Sequence, residues 1–99
     1  MTNKEVAFHE AATREYEAAF DWYMDRSVDA GAKFADEVSR AIIKIAEAPQ
    51  RWPVGKPGTR RFPLARFPFA IIYRELPSII QVLAVAHGHR RPGYWKKRT

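Results

Sequence analysis

His87 closes a run of apolar residues, Tyr94 follows it in a basic stretch, and Arg60, Arg61, Arg66, Arg74 and Arg90 are spread between positions 60 and 90. Metal-independent cleavage of an RNA phosphodiester needs a base to activate the 2′-hydroxyl, an acid for the leaving oxygen, and cations for the crowded phosphorane. His87 and Tyr94 are the proton-transfer candidates for such chemistry, with Arg61, Arg74 and Arg90 as charge stabilisers, provided that all of them converge on the open face of one sheet. The commoner use of basic strand residues is a solvated or partner-binding face. A histidine at the end of an apolar strand likewise more often anchors the next loop than moves protons. His9 is placed to begin a helix and His89 sits in an exposed turn between Gly88 and Arg90. Three histidines scattered in this way, without i,i+4 spacing or carboxylate neighbours, point to no metal site, and no cofactor is expected.

Tyr94 and Trp95 stand among Arg90, Arg91, Lys96, Lys97 and Arg98. Aromatic rings among cations stack on bases or anchor a partner peptide, and the alternative is a tail that folds back on the body of the domain. Arg60, Arg61, Arg66, Arg74, Arg90, Arg91, Tyr94 and Trp95 therefore form the candidate target-binding set. Trp22 and Tyr23 lie at helical spacing, where aromatic residues serve mainly as packing.

The net charge of +6 conceals a division. Residues 1–49 hold six Lys/Arg against ten Asp/Glu, a balance of −4, whereas residues 50–99 hold eleven Lys/Arg and only Glu75, a balance of +10. A focused positive half implies a polyanionic partner, either phosphate backbone or an acidic protein. The 99 residues, 46% hydrophobic, suit one domain spanning 1–99 with a single core. The absence of cysteine removes disulfides, thiolate zinc sites and cysteine nucleophiles. The opening residues lack the apolar core of a secretion signal, and no window approaches the ~20 apolar residues of a membrane span, so a soluble cytoplasmic protein is expected.

These side chains need elements to carry them. Val6 and Phe8 alternate with polar neighbours as in a short strand. From His9 to about Val28 the chain is rich in Ala and Glu, with Ala12, Tyr16, Ala19, Phe20 and Tyr23 at three- and four-residue steps, an amphipathic helix. Ser27, Asp29 and Gly31 supply turn and cap chemistry before Phe34, Val38, Ala41, Ile42 and Ile45 continue a second helix up to Pro49. So short a connection predicts an antiparallel helical hairpin. Pro49, Pro53, Gly55, Pro57 and Gly58 make a loop, followed by β-like runs at Arg60–Leu64, Phe67–Arg74 and Ile79–His87. The expected fold is α+β, ordered β-α-α-β-β-β, with the hairpin packed on one face of a curved, mostly antiparallel four-stranded sheet and a basic, aromatic tail over 88–99 on the surface.

Several stretches together resemble the RelE/ParE toxins. They are the Ala/Glu helix ending in Trp22-Tyr23, the helix closed by Pro49, the segment Arg61-Phe62-Pro63-Leu64, the run FPFAIIYR over 67–74 and the run AVAHGHRRPGYW over 84–95. The likeness covers almost the whole chain and is closer to the ParE-like, plasmid-stabilisation branch. It implies a toxin neutralised by a ParD-like antitoxin in a hetero-oligomer. ParE-type members are associated with inhibition of DNA gyrase, RelE-type members with cutting ribosome-bound mRNA. RelE-type sites typically combine strand-borne Arg and Lys with a C-terminal acid or base. Here the strands carry Arg alone, and the lysines of this half are Lys56, Lys96 and Lys97. An inhibitor needs only a complementary surface, so the gyrase reading leads, the ribonuclease reading is its alternative, and a general nucleic-acid-binding module comes third.

A disordered acidic antitoxin segment that folds onto a basic domain combines charge steering with apolar anchoring. The hairpin is rich in alanine, and small residues permit close approach of another helix. An antitoxin helix is thus expected on the hairpin and sheet edge through Ala12, Ala19 and Trp22, with an acidic extension reaching Arg74. Replacing Ala19 by Arg is expected to weaken antitoxin binding more than folding if Ala19 faces outward, and to unfold the chain if it faces the core.

Overall fold

The computed structural model describes residues 4–55 and 58–99. Lys56 and Pro57, read above as parts of the loop, lie outside the described residues. The elements are strand β1 (Glu5–Phe8), helices α1 (Glu10–Arg26) and α2 (Val28–Glu47), and strands β2 (Arg60–Pro63), β3 (Phe69–Glu75) and β4 (Ile79–His87), with a short 3₁₀ turn at Lys96–Arg98.

His9 starts α1: its Nδ1 accepts the Ala11 backbone N–H at 3.0 Å, which satisfies one donor that the helix would otherwise leave open. Ser27 serves both helices, since its N–H donates to Tyr23 O to end α1 and its Oγ accepts from Ala30 N to begin α2. The connection is therefore this single residue, shorter than the Ser27–Gly31 stretch expected, and Asp29 and Gly31 lie inside α2. Asp29 suits the first turn, where a carboxylate meets the positive helix end. Gly31 is buried against α1, and a Cβ there would stand 2.3 Å from Met24 Sδ, so glycine lets the two helices approach closely.

The sheet has the order β1-β4-β3-β2. The β2–β3 and β3–β4 pairs are antiparallel, and β1 joins β4 in parallel, with Phe8 opposite Val82. That mixture follows from the connections: tight turns reverse the chain between neighbours, whereas the hairpin returns it across the sheet. β2 ends at Pro63, one residue earlier than expected, because Leu64 N donates to Phe69 O and begins a turn. β3 begins only at Phe69, as Pro68 has no N–H to give a ladder.

Two apolar clusters lie on opposite faces of this sheet. On the helix side Ile71, Tyr73, Ile80, Val82 and Val85 pack with Ala12, Ala19, Phe34, Val38, Ala41 and Ile45. Tyr73 is fully buried there, its hydroxyl donates to Pro49 O at 2.6 Å, and burial raises its pKa. On the other side Ala70, Ile72, Leu83, Ala84 and Ala86 are covered by Tyr94 and Trp95. A register shift places Leu83 as an extra residue between Ala84, opposite Ile72, and Val82, opposite Tyr73. The strand thus turns Leu83 and Ala84 to the same face. Among the described residues no helix is long and apolar enough to cross a membrane.

Candidate functional site

α1 presents Ala18, Ala19, Trp22 and Tyr23 towards Phe69, Val85 and His87 at the far end of β3 and β4, and between them lies an open, largely apolar groove of about 490 Å³. Glu15 and Arg90 stand at its polar end. Trp22 is 51% exposed, with the Arg26 guanidinium 3.4 Å from its ring centroid and Tyr23 edge-on at 5.0 Å. The packing role expected for the aromatic pair is met by Tyr23, which sits among Phe34, Phe67 and Phe69. Trp22 instead presents half of its indole to solvent as part of the groove's apolar lining.

Behind the groove, Glu15 gathers the C-terminal tail. Its Oε1 accepts from Val85 N at 3.0 Å and Arg98 Nη1 at 2.9 Å, and its Oε2 accepts from the Tyr94 hydroxyl at 2.9 Å and Arg98 Nη2 at 3.0 Å. Arg90 lies over the Tyr94 ring, 3.9 Å from the centroid. Gly93, with φ of 79°, makes the turn that brings Tyr94 and Trp95 under the sheet, a backbone region glycine enters without a Cβ penalty. The tail thus folds back. Burial, followed by the bond to Glu15, pushes the Tyr94 pKa up to about 12.

The candidate catalytic residues come together only in part: Arg90 lines the groove with His87 and lies over Tyr94, whereas Arg61 and Arg74 are elsewhere. His87 shares the helix face with Phe69, 5.0 Å away between ring centroids, and lines the groove. Arg61 is opposite Ile72 and Arg74 follows Ile72 by two, which places both on the reverse face of the sheet. Arg74 is there engaged with Gln81 Oε1 at 2.9 Å. Tyr94 is a poor proton donor to substrate because its hydroxyl is committed to Glu15. His87 anchors the loop that follows it, its Nδ1 accepting from His89 N at 3.0 Å.

The wider set of candidate target-binding residues is likewise divided. Arg60 donates to Trp52 O at 2.7 Å and ties down the preceding loop. Arg66 belongs to the turn before β3, whose Ala65 and Arg66 amides donate to Glu37 of α2. Arg90, 54% exposed at its side chain, and the exposed Arg91 remain presented at the start of the tail beside the groove. Of the expected antitoxin contacts, Ala12 is fully buried under the sheet and offers no surface, a correction that follows from its place on the inner stripe of α1. Ala19 is only 7% exposed and packs in the core while also flooring the groove, so it is not the outward alanine of the first alternative. Arg74 faces away from Trp22, across the sheet.

Glu15 was missed by reasoning from sequence. The available signal was a carboxylate on the buried stripe of α1, three residues from Ala12 and four from Ala19, where an acid persists only with partners.

A family model for the ParE toxin of the type II toxin–antitoxin system parDE matches residues 6–92. The chain belongs to the ParE toxin family. Among solved structures, one from the chromosomal ParDE TA system of P. aeruginosa is similar with a TM-score of 0.74 at 19% identity, covering 85% of this chain and 95% of that one. At that identity the likeness shows the fold. No curated protein matches the sequence. The match to the ParE family spans Val6 through Pro92, so the groove and all four strands except Glu5 of β1 fall within it, and the 3₁₀ turn with Arg98 follows it.

Proposed function

We propose that this ParE-family toxin acts in the cytoplasm by binding, with DNA gyrase as its target, and that a ParD-like antitoxin neutralises it by occupying the α1 groove. The observation that carries the non-catalytic reading is that His87 has only Arg90 of the candidate cations beside it, Arg61 and Arg74 being on the reverse face, while the Tyr94 hydroxyl is committed to Glu15. Acid–base chemistry on a phosphodiester requires these groups within hydrogen-bond reach of one reacting centre. The groove favours an apolar anchor from an amphipathic helix, with Trp22 as its principal contact and Ala18 and Ala19 permitting close approach. Arg90 at the polar end supplies charge for an acidic extension of the same partner. Arg90, Arg91 and the reverse-face pair Arg61 and Arg74 are the proposed target contacts.

Expression of the chain without its antitoxin in several bacterial hosts tests this reading. Growth arrest that persists in a folded His87→Ala variant is the expected result. Arrest abolished by His87→Ala with the fold intact overturns the binding mechanism, and unimpeded growth in every host with verified soluble protein overturns the toxin function.

A further inference from the structure

β1 pairs with β4 through Phe8 and Val82, and His9 N adds one more bond to Val82 O. Beyond that point the β1 side of β4 has no strand against it among the described residues. An open strand edge leaves amide and carbonyl groups that must be bonded or hydrated. Two side chains take the place of the missing strand. Glu15 accepts from Val85 N, and Arg98 donates to Leu83 O at 2.9 Å. The same two side chains form a bidentate ion pair, and each is only 17% exposed. The pairing is the strong, planar kind available to arginine.

Two segments distant in sequence, α1 and the tail, are thereby fastened at one strand edge. The tail itself is less completely satisfied. Trp95 covers the second apolar cluster, yet its indole Nε1 is buried and has no partner among the described residues. An unsatisfied buried donor favours the state in which it meets water. The tail therefore has a built-in reason to detach, opposed by the apolar contacts of Tyr94 and Trp95 and by the bonds to Glu15.

We propose that Glu15 is a latch: it ties residues 90–98 to the unpaired edge of β4, and loss of its carboxylate releases this segment while the hairpin and the sheet remain folded. The latch is a property of the free chain. Its consequence for function, the placing of Arg90 and Arg91 for the target, rests on the reading above and is not needed for the test.

The experiment is backbone relaxation by NMR on the full chain and on Glu15→Gln and Arg98→Met variants. In the unaltered chain, residues 94–98 have order parameters near the rigid value of about 0.85. In Glu15→Gln they fall below about 0.6, while β3 and β4 stay near about 0.85. Arg98→Met gives the same release of the tail, but the Val85 amide stays protected from exchange because Glu15 still accepts its hydrogen bond. A tail as rigid in either variant as in the unaltered chain overturns the proposal, as does loss of order in the sheet together with the tail. If Glu15→Gln does not fold, Arg98→Met decides alone.

Discussion

Replacing Trp22 by Ala separates partner binding from folding. The indole is half exposed, and its folded-state contacts are the edge-on approach to Tyr23 and the stack under Arg26. An aromatic edge contact contributes about 0.5–1.5 kcal/mol and an exposed cation–π pair about 0.5–1 kcal/mol. Folding stability should therefore fall by about 1–2.5 kcal/mol, an amount read directly from chemical denaturation. A tryptophan seated in an apolar groove behaves as a binding hot spot, and its truncation costs about 2 kcal/mol or more. That corresponds to at least a roughly thirtyfold rise in Kd for the ParD-like antitoxin, measured by isothermal titration with folded protein. Ala18→Glu supplies a second view of the same groove, because Ala18 is exposed and its replacement should leave stability within about 0.5 kcal/mol while opposing an acidic, helical partner. An antitoxin affinity changed less than twofold in both folded variants would refute the assignment of the groove.

Three other outcomes are expected. Alanine at Arg74, Arg90 and Arg91 should reduce growth arrest more than alanine at Arg14, Arg26 and Arg40, as counted by colony formation at matched expression; the reverse order would move the target surface to the helices. Tyr94, raised from its ordinary 10.0 to about 12, is favoured in its neutral form by the fold, so its contribution is present below pH 10 and lost as the pH rises through about 12; Tyr16, Tyr23 and Tyr73 are also raised by burial, so absorbance at 295 nm should show several late tyrosines, of which the component near pH 12 is lost in Tyr94→Phe. Glu75 is held below the ordinary carboxylate value, first by the hydrogen bond from Lys4 at 2.8 Å, so this contribution is present at neutral pH and lost on acidification through the lowered value. Both side chains are partly exposed, which limits the effect to about 1 kcal/mol, and Lys4→Met should flatten the acid limb of the stability curve by that amount.

The residues that specify local structure were readable directly. The apolar run bounded by Ser78 and Gly88 is β4 as expected, and the three- and four-residue spacing in α1 and α2 identifies both helices. The one-residue link at Ser27 was not readable, because Ser27, Asp29 and Gly31 all favour turns, whereas Asp29 sits in the first turn of α2 and Gly31 is drawn into the helix by close packing against Met24. Alanine identity could not distinguish the sealed Ala12 from the groove floor at Ala19, since both lie on the same stripe and differ only in what the sheet end leaves uncovered. Nor could the basic residues be assigned to faces from the sequence, since the face of each strand depends on register and on the shift at Leu83. His9 and His87 were legible as anchors, and both are hydrogen-bonded in that way. Glu15 joins positions far apart in the chain, and nothing local to it announces Val85, Tyr94 or Arg98.

The central claim, inhibition by binding, is tested most directly by adding the purified chain to gyrase with relaxed plasmid and, in parallel, to translating ribosomes with labelled mRNA. The account predicts that supercoiling stops at near-stoichiometric toxin, recovers when the antitoxin is added, and that the mRNA stays intact. Ribosome-dependent cleavage of the mRNA, with supercoiling unaffected, would contradict it.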